Sequence, residues 1–223
     1  MQKYRPILII AIVLAVTIVG LVFLLRARPN GDFVATNTQS GTEAQSKLPE
    51  GVVVTLEEFG DYQCSPCGVL HPSLKKLKQE FGPNLNFVFR NLPITTLHKN
   101  ALAAAQAAEA ARMQGRFWEM HDLLYENQDL WKDDINPKSI FWKFAADLGL
   151  DTARFMSDMA DRQVNLRIEA DQSAAAELGI DGTPTLLIDG RKLRPEVTNP
   201  DGIRKGIEFT MSRKKPSPSL EGS

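Results

Sequence analysis

Two cysteines, Cys64 and Cys67, are the only ones in the 223-residue chain, and Ser65-Pro66 separates them. A C-x-x-C pair can exchange disulfides, hold part of a metal site or form an inert bridge. Zinc wants four ligands, and the nearest imidazole in sequence is the single His71. The pair follows a strand-like run, Gly51 to Phe59, and opens a helix-like run, Gly68 to Phe81. A cysteine at the mouth of a helix meets unpaired backbone N–H groups and the positive end of the helix dipole. Both favour the thiolate, the reactive form. The spacing therefore predicts thiol–disulfide chemistry.

Composition narrows the setting. Hydrophobic residues make up 43% and charged residues 24%, as in a globular protein. A net charge of −1 gives no surface for a polyanion, so nucleic acid is not an expected partner. Two cysteines are too few to staple a scaffold. A chain with none beyond the pair suits an oxidising compartment, where stray thiols would form wrong bridges.

The first 28 residues read as a membrane anchor. Ile7 to Leu25 are 19 residues without a charge, and as a helix they would span about 28 Å of the roughly 30 Å hydrocarbon core. A cleaved signal peptide usually has an apolar region of about 7–15 residues and a small-x-small site, whereas here Arg26 and Arg28 follow at once. Lys3 and Arg5 balance them, so the positive-inside bias is slight. Cysteine usage decides the expected orientation, with the C-terminal domain outside the cytoplasm. Residues 29–49, rich in Asn, Thr, Gln, Ser and Gly, read as a flexible linker.

The folded part is expected from residue 50. Val52 to Leu56 is a nearly continuous apolar run, expected to be a strand buried on both faces. Leu70, Leu74, Leu77 and Phe81 recur at helical spacing, with Pro72 inside the helix and Gly82-Pro83 stopping it. Leu85 to Arg90 alternates as a second strand and completes a βαβ unit over residues 50–97. Residues 98–178 carry helical periodicity throughout, broken at Gly115, Gly149 and Gly179. Strands return at Thr185 to Ile188 and Arg191 to Leu193 around Asp189-Gly190, a strong hairpin signal. A helix from Pro200 to Met211 closes the second part, 179–212, and 213–223 reads as a disordered tail. The expected fold class is α/β: a thioredoxin-like fold with an inserted all-helical subdomain, preceded by a transmembrane helix and linker. His71 and His121 fall on helical stripes and are expected to pack rather than react. Trp118, Trp131 and Trp142 are expected in the core or the insertion.

These features together resemble the DsbA-like branch of thioredoxin-fold thiol–disulfide oxidoreductases, especially its membrane-anchored bacterial members. Glu58-Phe59 through Cys64-Ser65-Pro66-Cys67, Gly115 to His121, the helical insertion and Gly182-Thr183-Pro184-Thr185 carry the resemblance over roughly residues 50–212. It implies an exposed nucleophile at Cys64, a buried resolving Cys67, and a cis-proline at Pro184. Thr183 before it would pair with an extended substrate. It also implies an acidic residue at Glu58 that shuttles a proton to Cys67. Periodicity does not choose between Glu58 and its neighbour Glu57; the family spacing does.

The resemblance implies an extracytoplasmic enzyme, in the periplasm or at the cell exterior, that introduces disulfides into exported proteins through a mixed disulfide. Its partners would be exported chains with cysteines, the membrane through the N-terminal helix, and a membrane redox partner, either a quinone-linked oxidase or an electron donor. No cofactor and no metal are implied. One departure matters: the dipeptide is Ser65-Pro66 rather than a Pro-His pair, and a proline before the second cysteine resembles the reducing thioredoxins. A reductase or isomerase therefore remains an alternative, as does a chaperone-like module that binds exported chains.

Overall fold

The structure is a computed structural model that describes residues 51–214. The anchor, the linker and the end of the tail lie outside those residues. Among the described residues no helix is long and apolar enough to cross a membrane.

Strand β1 (Val54–Gly60) is followed by helix α1 (Ser65–Phe81) and strand β2 (Leu85–Asn91). β1 and β2 pair in parallel, Val54 opposite Leu85 and Gly60 opposite Asn91, so α1 is the crossover of a βαβ unit. Six helices then intervene: α2 (Ala101–Arg112), α3 (Phe117–Glu126), α4 (Gln128–Trp131), α5 (Pro137–Asp147), α6 (Thr152–Asp158) and α7 (Arg162–Glu177). Strand β3 (Thr185–Ile188) returns antiparallel to β1, and β4 (Arg191–Lys192) and helix α8 (Pro200–Lys214) complete the order β2-β1-β3-β4. The βαβ–helices–ββα order is therefore a thioredoxin-like fold with a helical insertion.

Period-2 alternation gives β1 two buried faces. Val54 and Leu56 join Leu186 and Ile188 under α1 and α8, where Leu70, Leu74, Leu77, Ile203 and Ile207 cover them. Phe59 and Leu187 point the other way, against Ala175 and Ile180 at the end of α7. Glu58 shares the parity of Leu56 and lies on the α1 side, buried; Glu57 faces away and pairs with Arg90 at 2.9 Å. The insertion packs a second core that it shares with Tyr62, the two cysteines and Phe89 of β2, and in it α2 buries Ala104, Ala105, Ala107, Ala108 and Ala111. Trp131 is fully buried there, but Trp142 is 47% exposed, against expectation, because α5 turns that side outward while Phe141 and Phe144 face the core.

Two connections follow directly from sequence. Asp189 and Gly190 both have positive φ, 46° and 75°, and join β3 to β4 with Ile188 opposite Arg191; this is the conformation that Asp-Gly favours in two-residue hairpins. Helix α1 starts earlier than the expected Gly68. Cys64 is its extended N-cap and Pro66 lies in the first turn, where a missing N–H costs nothing. That shift places both cysteines on the helix end itself.

Gly60 ends β1 where no side chain fits. A Cβ there would lie 2.4 Å from the Phe89 ring and 3.0 Å from the Tyr125 hydroxyl. Gly60→Ala should destabilise the fold by about 1–3 kcal/mol, the usual cost of overpacking. Urea unfolding reads this, and a change below about 0.5 kcal/mol would contradict so close an approach.

Candidate active site

Both cysteines are free thiols in this structure. Cys67 is wholly inaccessible and Cys64 keeps only 5% of its surface, so Cys64 is not the exposed thiol that the sequence led us to expect. The cause is local. The Cys64 N–H donates to the Asp61 carbonyl at 3.0 Å, its own carbonyl accepts from Gly68 N–H and Gln128 Nε2, and its Sγ lies 3.4 Å from the Thr183 carbonyl. The Thr183–Pro184 peptide is cis. Thus residues 119 apart in sequence meet at one sulfur.

The two thiols titrate in opposite directions. A hydrogen bond from the Cys67 side chain, the largest influence, helps to lower Cys64 to about 6. The Thr183 side chain and the Cys67 backbone N–H act in the same sense; burial and the Asp61 charge oppose them. Cys67 is pushed up, first by burial and then by its bond to Cys64 and by the Glu58 charge. One thiol is therefore poised as a thiolate at neutral pH while the other holds its proton.

Glu58 lies beneath them, 1% exposed, with one carboxyl oxygen lacking any partner. Burial, followed by the Cys64 charge, raises it from 4.5 to about 8, so the carboxyl is mostly protonated at neutral pH. Its ionisation and that of Cys67 oppose each other, an arrangement able to hold or pass one proton. The structure thus brings together Glu58, Cys64, Cys67, Thr183 and Pro184; Ser65 and Pro66 form the first turn of α1 and add no charge.

Asp61 escaped the sequence reading. Its carboxylate is fully buried three residues before Cys64 and accepts from Gln63 N–H at 2.7 Å, Ile94 N–H at 2.8 Å and His98 Nδ1 at 2.8 Å. It pins the loop after β2 to the cysteine loop while placing a negative charge near Cys64. Gln128 is a second omission: its Nε2 donates to the carbonyls of Tyr62, at 2.6 Å, and Cys64, at 3.1 Å. The Asp61–Gln63 bond is an Asx turn, a local signal that sequence does carry. The contacts to His98, in the loop after β2, and to Gln128, on α4, are distant in sequence and leave no local signal.

Two expectations follow. Because Asp61 raises Cys64, Asp61→Asn should shift the pH midpoint of Cys64 alkylation below about 6; an unchanged or higher midpoint would contradict that electrostatic role. For Glu58, the folded state holds a proton between pH 4.5 and about 8 that the unfolded chain releases, so this group lowers stability as pH rises through that window. At 1.36 kcal/mol per pH unit the full fall is about 5 kcal/mol at most. Glu58→Gln removes it, and should gain stability over the parent progressively from pH 4.5 to 8 in urea unfolding of the dithiol form. Parallel curves would rule this out.

Comparison with known proteins places the chain. A family model described as thioredoxin matches residues 52–208. The chain is 40% identical over 144 residues to a protein named Na(+)/H(+) antiporter NhaA 1 from Salinispora arenicola (strain CNS-205), which covers 65% of this chain and 21% of that one. It is 36% identical over 146 residues to the NhaA antiporter of Herminiimonas arsenicoxydans, covering 66% and 22%. It thus spans about a fifth of the length of these curated relatives. Among solved structures, a thioredoxin-like oxidoreductase from Silicibacter pomeroyi DSS-3 superposes with a TM-score of 0.62 at 27% identity, covering 74% of this chain and 89% of that one. BdbD from Bacillus subtilis superposes with a TM-score of 0.64 at 22% identity, covering 74% and 90%. Alpha-DsbA2 from Wolbachia pipientis gives 0.61 at 22%, covering 73% and 84%. The chain belongs to the thioredoxin family, with the fold of its DsbA-like thiol–disulfide oxidoreductases.

Proposed function

We propose that this protein is an extracytoplasmic thiol–disulfide oxidoreductase that introduces disulfides into exported proteins. The observation that carries the reading is the split between the two thiols, with Cys64 lowered to about 6 and Cys67 pushed up. In the oxidised enzyme a substrate thiolate attacks Sγ of Cys64, and the Cys64–Cys67 bond breaks to leave the electron pair on Cys67. Glu58, protonated at neutral pH, supplies a proton to that sulfur. A second substrate thiolate then attacks the substrate sulfur of the mixed disulfide and expels Cys64 as thiolate. The substrate leaves with one disulfide and the enzyme carries two electrons more. A leaving thiol of low pKa both speeds the last step and stabilises the reduced enzyme, which makes it more oxidising.

The backbone at Thr183-Pro184, 3.4 Å from the reacting sulfur at the Thr183 carbonyl, is the proposed ledge for an extended substrate segment. The uncharged run Ile7 to Leu25 supports a membrane anchor, and the relatives named as antiporters support a setting at a membrane. Reoxidation needs a membrane partner that accepts the two electrons. The second reading, a reductase or isomerase, is favoured by the absence of a stabilising cation: Ser65-Pro66 adds none, and the Asp61 charge raises the Cys64 pKa.

Given a substrate protein that carries a disulfide, the Cys64 thiolate of Cys67→Ser should attack one of its sulfurs, expel the other as thiolate and, with no second enzyme thiol to resolve it, accumulate a mixed disulfide visible on non-reducing gels and absent in Cys64→Ser. Cys64→Ser should also lower insulin-disulfide turnover to background, a loss of at least about a hundredfold given that the thiolate is the attacking group. Full activity in Cys64→Ser, in that assay and in complementation, would sink the redox reading and leave a chaperone-like role.

A further inference from the structure

One turn along α1 from Cys67, on the same face of the helix, two buried imidazoles and a carboxylate converge. His71 on α1, 4% exposed, and His121 on α3, 1% exposed, meet with Asp122, and one ligand atom from each lies within 4.8 Å of the others. His71 Nε2 stands 3.4 Å from Asp122 Oδ1, yet it is buried without a hydrogen-bond partner. A tetrahedral ion with bonds of about 2.0–2.1 Å needs its ligand atoms about 3.3–3.4 Å apart. That pair of atoms already has the required separation.

The surroundings suit ligation. The Tyr62 hydroxyl lies 3.0 Å from His121 Nδ1 and fixes the ring; with Nδ1–H donated to that oxygen, as metal-bound imidazoles donate their second N–H, Nε2 carries the lone pair. Ring contacts with Phe89, Trp118 and Tyr125 hold His121 in place. The three residues line a surface pocket of about 290 Å³ that also includes Lys75, Lys78 and Trp118, giving an ion a way in and room for a water as fourth ligand. Two imidazoles and one carboxylate fit a borderline transition-metal ion better than magnesium or calcium, which prefer all-oxygen sets.

We propose that His71, His121 and Asp122 form a binding site for a divalent transition-metal ion, with zinc the best fit. Its chief opponent is Lys75, whose Nζ sits 2.8 Å from Asp122 Oδ2 and 2.7 Å from Glu126. Asp122 can bind the ion through Oδ1 while keeping Lys75 on Oδ2, at some cost in affinity. The site is independent of the redox reading.

The test uses the full chain in detergent, with Cys64 and Cys67 first oxidised so that no thiol can bind metal. Titration with cobalt(II) should give one equivalent with visible d–d bands of a four-coordinate ion and no sulfur charge-transfer band, and zinc should displace it. Asp122→Asn should weaken zinc at least about tenfold, while Lys75→Gln, which removes the opposing charge, should tighten it several-fold. No cobalt uptake by the oxidised chain, or equal affinity in Asp122→Asn and parent, overturns the proposal. If Asp122→Asn does not fold, Lys75→Gln decides alone: tighter binding supports the site, unchanged affinity rejects it.

Discussion

Two sulfurs at the mouth of one helix compete for one set of hydrogen-bond donors, and in this protein the competition has a clear winner. Cys64 receives the Cys67 thiol and backbone N–H; Cys67, buried behind it, receives no comparable help and faces Glu58. Ionising either sulfur makes ionising the other harder, since unscreened like charges at contact distance interact by several kcal/mol. The pair therefore carries one negative charge at neutral pH, and it sits on the outer sulfur. Everything the site can do as an exchange centre depends on that asymmetry.

The scaffold maintains it from several directions. Parity along β1 puts Glu58 on the α1 side, in an apolar layer that includes Leu56, Leu70 and Leu74. Asp61 ties the cysteine loop to Ile94 and His98, and Gln128 reaches back from the insertion to the Tyr62 and Cys64 carbonyls. The insertion is thus part of the support for the site, fixing the backbone that presents Cys64. Asp61 also limits the site's oxidising power, because its buried charge disfavours the thiolate that its hydrogen bonds help to position.

Sequence was informative where chemistry is local. The C-x-x-C pair, the Asp189-Gly190 hairpin and the apolar stripe Leu70, Leu74, Leu77 and Phe81 each follow from residue type and spacing, and each lies where those rules place it. The antiparallel return of Thr185–Ile188 beside β1, and so the meeting of Thr183 with Cys64, was accessible only through resemblance to a family. The burial of Cys64 was misjudged because a carbonyl 119 residues away covers it. Asp61 was missed because a loop aspartate and a loop histidine 37 residues apart give no periodic signal. The exposure of Trp142 shows the same limit: helical spacing identifies a stripe, but tertiary packing decides which side of α5 faces the core.

The oxidising direction stands on the ease with which Cys64 carries charge. A pKa of about 6 falls between the roughly 7 of thioredoxin and the roughly 3.5 of DsbA. The equilibrium reduction potential of the Cys64–Cys67 pair in the full chain, measured against glutathione, tests this most directly. An oxidising pair should give a value well above about −270 mV, displaced from thioredoxin toward the roughly −120 mV of DsbA. A value at or below about −270 mV would contradict it and assign the same site to reduction.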